Sequence, residues 1–301
     1  MQPARDRLQS RILVWAIGPL IFVAWARLLY STLALGSSWH LYLLKALVLS
    51  IAFALSAWAL RAATPAAAFF GGMICLLLTR FTGSLKASPL HSALAPLITL
   101  FLLTFLATRA GRKQKIERGV AESRKGRRAS QVIANLGIAA ILSNPGGEAV
   151  MGWAARSAPG PAIDSYRLLC IVILAVLAEA TADTVSSEIG QTYGGKPILL
   201  TTFRSVQTGV DGAISLTGTL AGILAAAIVA GVGAWSMHLH AEQFWLALGA
   251  ATLGLFFDSL LGATVERRGW LGNDLVNFTS TAFTAGLALL AIRFGQRYFL
   301  R

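Results

Sequence analysis

Apolar runs of bilayer-spanning length recur along the chain, separated by short polar, basic or glycine-rich stretches. Nine such segments stand out: 12–34, 41–60, 65–82, 94–108, 129–143, 165–187, 212–234, 243–264 and 275–293. A helix needs about 20 predominantly apolar residues to cross the hydrocarbon of a membrane. The pattern therefore predicts an all-α, polytopic integral membrane helix bundle with about nine transmembrane helices. The fourth and fifth runs are short for a full crossing, which suits tilted or re-entrant pieces. Glycine, proline and threonine mark the connections. The stretches Ser143–Pro161, Gln191–Asp211 and Ala234–Glu242 read as loops.

Composition supports this picture. The chain has 301 residues, of which 55% are hydrophobic and only 13% charged. Its net charge of +13 would suggest nucleic acid in a soluble protein. Here most of the 26 Lys and Arg fall in alternate loops, so topology explains the excess and nucleic acid is not an expected partner. The basic loops are the N-terminal Arg5, Arg7 and Arg11, then Arg61, the stretch Arg109–Arg128, Lys196 and Arg204, and Arg267 and Arg268. The positive-inside rule puts these loops and the N-terminus on the cytoplasmic face of the cell membrane. The C-terminal arginines run against that rule. Arg27, Lys45 and Lys86 read as snorkelling side chains. The first span resembles a secretory leader in outline. Arg27 interrupts it and no small-x-small site follows closely, which favours a retained span. Cys75 and Cys170 lie apart in apolar spans and support neither a disulfide framework nor a metal site. The His pair in Met237–His240 lacks a nearby third ligand and reads as a polar loop.

The chain divides into N-terminal spans (1–107), a basic loop (108–128) and C-terminal spans (129–301), within one membrane domain. The first group is plain. In the last group, polar residues gather near the end of each span that the charge count assigns to the cytoplasm. An ionisable side chain in a membrane helix costs about 2.5–3.5 kcal/mol on insertion scales, so such a residue faces a cavity or a partner. On the helix continuing past Ala178, Glu179, Asp183, Ser186, Ser187 and Gly190 share one face, with Thr181, Thr184 and Glu188 on another. Asp258 sits in the apolar stretch LGLFFDSLLGA with Gly254, Gly262 and Glu266 on its face. Asn273, Asp274, Asn277 and Thr281 follow helical spacing, as do Arg124, Arg128, Gln131 and Asn135. Asp211, Ser215, Gly218, Thr219 and Gly222 do likewise. Asp211 there also fits a helix N-cap, and Gly218 with Gly222 a close-packing pair. Each face alone also fits a solvated helix end. Together they suit a polar chamber open to the cytoplasm, with acids inside and Arg127, Arg128, Lys196, Arg204, Arg267 and Arg268 at the rim. That charge arrangement suits a phosphate ligand held through Mg²⁺, with carboxylates on the cation and Arg or Lys on the phosphate.

The run Gly190 to Lys196 matches the first seven positions of a phosphate loop. Pro197 replaces the magnesium-binding hydroxyl, and the run follows a helix rather than a strand, so a phosphate-loop fold is excluded. A glycine-rich turn offering N–H groups and a lysine to phosphate stays open beside a plain interhelical turn.

Five ordered motifs then carry a resemblance: RRASQVIAN (Arg127–Asn135), ADTVSSEIG (Ala182–Gly190), GKPILLTTFRSVQTGVDGAISLTGTLAG (Gly195–Gly222), FDSLLGAT (Phe257–Thr264) and GNDLVNFTST (Gly272–Thr281). The set resembles the transmembrane protein nineteen family, which includes plant and cyanobacterial phytyl-phosphate kinases. The match spans about Pro65 to Ala291. Val185 stands where the family commonly has Trp, and Asp211-Gly212-Ala213 where it has Asn and two glycines. The resemblance implies a membrane-embedded kinase that uses a nucleoside triphosphate, CTP first, to convert an isoprenoid monophosphate to the diphosphate. On that reading, Asp183 with Glu179 or Glu188, and Asp258, hold Mg²⁺. Lys196 and Arg204 contact the nucleotide phosphates and Arg128 the acceptor phosphate. Gln131, Asn135, Ser187, Thr202, Ser215 and Asn277 complete the substrate site. Two alternatives use the same chamber: a cytidylyltransferase that makes a CDP-lipid, and a transporter of a phosphorylated lipid or small anion. The apolar far halves of the spans argue against a through-path. Membrane lipids are the expected surroundings, and the sequence carries no signal of oligomeric state.

Overall fold

The computed structural model describes residues 4–34, 37–83, 88–121, 125–157 and 164–299. Lys86, Arg124 and Arg301 lie outside the described residues. The protein is an all-α polytopic membrane bundle. Its long helices are α1 (Ala4–Leu33), α2 (Ser37–Ala59), α3 (Pro65–Thr82), α8 (Ser165–Tyr193), α9 (Leu216–Ser236), α10 (Ala241–Leu261) and α11 (Asn273–Phe299). Each contains a stretch long and apolar enough to span a membrane. Between them come α4 (Leu94–Arg109), α5 (Arg112–Glu117), α6 (Ala129–Leu142) and α7 (Pro145–Ser157). At about 1.5 Å per residue, α4 and α6 fall short of the roughly 30 Å hydrocarbon thickness, as their sequence implies.

Helix α8 is the axis of the bundle. Of its most apolar window 94% is buried, against 22% for α1. It packs on α4, α6, α7, α9, α10 and α11, while α1, α2 and α3 join through α3 and α6. The outward faces of α1, α2, α4 and α9 keep Trp15, Leu55, Leu106 and Leu224 exposed, which is the expected exterior of a helix bathed in lipid. Against α8, α9 lays a seam of small residues. A Cβ at Gly218 would stand 2.5 Å from the Ser186 carbonyl oxygen, and one at Gly222 2.6 Å from that of Ala182. Only glycine permits this backbone approach.

Three parts of the chain differ from the sequence expectation. The stretch after Ser143 is helical, not a loop: Asn144 Oδ1 accepts from the N–H groups of Gly146 (2.7 Å) and Gly147 (3.2 Å), with Pro145 at the first helical position. Asn followed by Pro is a helix-start signal. The basic loop holds the short α5, and its Lys115 is turned inward and 1% exposed. Helix α9 starts at Leu216, not 212, and its cap is Ser215, whose Oγ accepts from Gly218 N–H at 3.1 Å. Asp211 is therefore no N-cap. It belongs to the segment that carries β1 (Ile198–Leu199) and β2 (Ala213–Ile214), an antiparallel pair between α8 and α9.

The ends of the helices sort into two opposite layers. Arg127 N–H donates to the Ala62 carbonyl and Thr64 N–H to the Arg127 carbonyl, both at 2.9 Å. In the same layer the start of α1 is held to the turn before α11: Gln9 Nε2 donates to Trp270 O (2.9 Å) and Gly272 N–H to Gln9 Oε1 (2.7 Å). At the other end Tyr166 Oη donates to Thr82 O (2.6 Å) and Ser236 Oγ to Ser92 O (3.1 Å). The basic loops thus share one end of the bundle.

Candidate functional site

Four helices bring polar side chains to one place at the basic end. Glu179 and Asp183 lie one turn apart on α8, and Asp258 lies in the last turn of α10. The two aspartates stand 75 positions apart in the chain, yet both line one cavity of about 170 Å³ with Ser187, Asp211, Ser215 and Glu266. The two carboxyl groups are close enough to act on each other electrostatically. Glu179 is fully buried just below; Ser280 Oγ of α11 donates to its Oε1 at 2.8 Å. Glycine makes room here as well: a Cβ at Gly254 would stand 2.0 Å from Thr284 Oγ1 and 2.7 Å from Glu179 Cγ.

The acid cluster is framed by amides. Asn277 Nδ2 of α11 donates to Asn135 Oδ1 of α6 (3.2 Å) and makes a long contact with Asp183 Oδ2 (3.5 Å). Asn135 Nδ2 in turn donates to Gln131 O at 3.0 Å. The network therefore links α6, α11 and α8. Two oxygens, Asp258 Oδ2 and Glu179 Oε2, are buried with no donor among the described residues. A buried carboxylate oxygen without a donor is costly in a protein interior, and a bound cation would offset that cost.

Backbone from the segment before α9 and from the end of α10 forms one wall of the cavity. Past α10 the chain makes a π-helical turn, Gly262–Glu266, and the β2 hairpin rests on it. Gly212 has a φ of +70°, and a Cβ there would stand 2.0 Å from Ala263 N. Asp211 stands at the lip. Its carboxyl is pushed above the ordinary carboxylate range by partial burial and then by the Asp6 carboxylate, against the pull of Arg267 and Arg5.

The structure brings together Asp183, Asp258, Glu179, Ser187, Ser215, Asn135 and Asn277. It does not bring in the others. Glu188 turns away from Asp183 and accepts from Lys115 Nζ at 2.5 Å and from Thr108 Oγ1 at 3.1 Å. The reason is its place on α8, on the side facing α4 and α5. Lys196, Thr202 and Arg204 are exposed on the turn beside β1, where Leu199 N–H donates to Arg204 O (3.0 Å) and Val206 N–H to Pro197 O (2.9 Å). None of the three lines the cavity. Arg128 caps the start of α6 with its backbone N–H on Gln131 Oε1 (2.8 Å), and its exposed side chain does not line the cavity. Its neighbour Arg127 takes the inward place: Nη2 donates to Thr184 Oγ1 at 3.3 Å, and the guanidinium acts electrostatically on Asp183. Arg127, expected at the rim, and Glu266, expected on the face of Asp258, had no role assigned to them in the site; Glu266 lines the cavity and Arg127 acts on Asp183. Helical periodicity favoured Arg128, and only the backbone bridge to Ala62–Thr64 turns Arg127 inward.

Among the described residues no three acidic, His or Cys side chains converge on one point. Two carboxylates do, and two are what Mg²⁺ commonly takes from a protein when phosphates and water complete its shell. The donor set fits that ion in that mode.

Comparison with known proteins shows the family. A family model described as "Integral membrane protein DUF92" matches residues 48–285. "Protein VTE6, chloroplastic" of Arabidopsis thaliana is 32% identical over 197 residues, 64% of this chain and 56% of its own length. The match thus spans little more than half of that relative. An uncharacterised membrane protein of Methanocaldococcus jannaschii is 35% identical over 187 residues, 62% of this chain and 70% of its own. Another from Synechocystis is 30% identical over 194 residues, 64% of this chain and 70% of its own. No solved structure matches the chain.

Proposed function

We propose, starting from the fact that the chain belongs to the integral membrane protein family DUF92, that it is a nucleotide-dependent kinase acting on an isoprenoid monophosphate at the basic end of the bundle. The observation that carries this reading is the meeting of Asp183 and Asp258 in one cavity beside Arg127. The similarity to VTE6 and the resemblance to a family containing phytyl-phosphate kinases point the same way. CTP is the donor this resemblance suggests, and the cytoplasmic leaflet is the side the positive-inside rule suggests.

Phosphoryl transfer asks a protein mainly for position and charge neutralisation. A triphosphate meeting a monophosphate brings several negative charges together. Asp183 and Asp258 would hold Mg²⁺, which when bound neutralises the donor phosphates. Arg127 would steady the acceptor phosphate and the charge that spreads over the transferring group. An oxygen of the acceptor phosphate attacks the γ-phosphorus, and the bond from that phosphorus to its bridging oxygen breaks. The nucleoside diphosphate leaves with the electron pair. The acceptor oxygen is already anionic, so no general base is needed. Asn277, held by Asn135, orients Asp183, and Ser187 and Ser215 offer hydroxyls to the ligand. Lys196, Arg204 and Glu188 have no part in this version of the site.

Turnover with radiolabelled CTP and a panel of prenyl monophosphates tests the reading. CDP and a lipid diphosphate are the expected products. Pyrophosphate with a CDP-lipid would make the protein a cytidylyltransferase, and transport without nucleotide consumption would make it a carrier. Asp183→Asn and Asp258→Asn should each lower turnover at least about a hundredfold, the range seen when one electrostatic partner of a transition state is removed. Activity close to the unaltered protein in both would sink the assignment.

A further inference from the structure

A second cavity at the basic end is larger than the acid one and has the opposite charge. It measures about 480 Å³ and lies among α4, α5, the α2–α3 turn and the approach to α6. Its mouth carries Arg61, Arg109, Arg112, Lys113 and Arg127. Beneath, it shares Ala62, Phe101, Thr104 and Arg127 with a narrow throat of about 80 Å³. That throat runs into the bundle between α2, α3, α4 and α6, and Phe53, Ala67, Gly71, Leu97 and Leu100 make it apolar. No acidic side chain lines either part among the described residues.

We propose that this groove binds the monophosphate of a single-chain lipid, with the phosphate at the basic mouth and the chain in the throat. Charge and shape both select that ligand. A dianion in a mouth lined by arginines gains charge-assisted and bidentate contacts. The throat below is lined by small and aromatic residues, which suits one unbranched or methyl-branched chain. The mouth is also held in shape before a ligand arrives. Arg109 Nη2 donates to Leu60 O at 2.7 Å, and its guanidinium carbon sits 4.1 Å above the Phe105 ring. Gly126, at φ +80°, lets the chain pass against the backbone of Ala62, where a Cβ would stand 2.5 Å from its carbonyl carbon. That approach pins Arg127 at the boundary between mouth and throat.

The groove also backs onto the acid cavity. Asn135 and Ala180 line the throat, and Asn135 accepts from the Asn277 amide that reaches Asp183. Arg127 belongs to the mouth and to the electrostatic surroundings of Asp183. A lipid phosphate at the mouth is thus presented toward the two aspartates by a shared arginine. The identity of this lipid as the acceptor rests on the kinase reading; the binding site itself does not.

The test is equilibrium binding of radiolabelled farnesyl monophosphate to the full chain in phosphatidylcholine nanodiscs, without nucleotide or metal. Saturable binding is expected, competed by unlabelled farnesyl monophosphate and only weakly by dimethylallyl monophosphate. Inorganic phosphate and dioleoyl phosphatidic acid at equal concentration should not compete. Arg112→Gln with Lys113→Gln should weaken binding about tenfold or more. Gly71→Leu should weaken farnesyl binding more than dimethylallyl binding; a Cβ at Gly71 meets only Phe53 Cε1, at 3.7 Å, so the added bulk points into the throat. The chain-length series on the unaltered protein keeps the test valid if that variant does not fold. Asp258→Asn, which touches the acid cavity alone, should leave affinity within about twofold. Equal competition by inorganic phosphate or by phosphatidic acid would overturn the proposal, as would affinity unchanged in the charge variant. Binding without turnover would leave the groove standing and the kinase reading fallen. Turnover indifferent to the groove variants would do the reverse.

Discussion

At the scale of single residues, the site depends on which of two adjacent side chains turns inward. Arg127 and Arg128 are equivalent in charge, and helical spacing points to Arg128, in line with Gln131 and Asn135. The bridge to Ala62 and Thr64 fixes the backbone at Arg127 and sends its guanidinium to Thr184. Arg127→Ala is therefore expected to lower kcat/KM at least about a hundredfold, with Arg128→Ala within about threefold, in the CTP assay. Lys115 makes a different point. It is buried, with Nζ on the Ala107 and Thr108 carbonyls (3.0 and 3.1 Å) and on Glu188. It holds the end of α4 against α8. Removing one partner of a buried pair costs about 3–5 kcal/mol, so Lys115→Met should lower thermal stability in detergent sharply. Lys115→Met with Glu188→Gln together should recover much of the loss. Equal melting temperatures for Lys115→Met and the unaltered protein would contradict this.

At the scale of elements, glycine decides how closely the parts of the site approach. The hairpin over the cavity depends on Gly212, whose left-handed φ and contact with Ala263 leave no place for a side chain. Backbone strain of this kind costs about 1–3 kcal/mol. Gly212→Val should accordingly raise the KM for nucleotide or abolish turnover while leaving the helical signal in circular dichroism intact. The α8–α9 seam is less forgiving. Gly222→Leu would force the helices apart beneath Ser186, and a lower melting temperature is expected along with lost activity.

At the scale of the whole molecule, the separation of charge fixes what faces what. Basic loops gather at one end, with both cavities opening there, and α8 carries the acids down the centre. The positive-inside rule predicts that the basic end faces the cytoplasm. Lys125→Cys and Glu242→Cys lie at opposite ends, both exposed, while Cys75 and Cys170 are buried. A membrane-impermeant maleimide should label Lys125→Cys in inside-out vesicles and Glu242→Cys in right-side-out ones. The opposite pattern would invert the predicted topology.

The helix inventory was legible in the chain because lipid imposes a length and a composition on every crossing. The nine apolar runs correspond to seven long helices and two short ones, within a few residues at most ends. The acids were legible as well, since a carboxylate in an apolar stretch such as LGLFFDSLLGA needs a cavity or a partner. What the chain alone did not reveal is which polar side chains share a space. Helical spacing put Glu188 on another face from Asp183, but did not reveal that Lys115 meets it there. Lys196 and Arg204 sit in the glycine-rich segment and stay outside. Helical periodicity gives direction relative to one axis only, and the partner across the gap is set by how α6, α8, α10 and α11 pack. That packing, made possible by glycines with no Cβ to collide, brought Asp183 to Asp258 and opened the basic groove behind them.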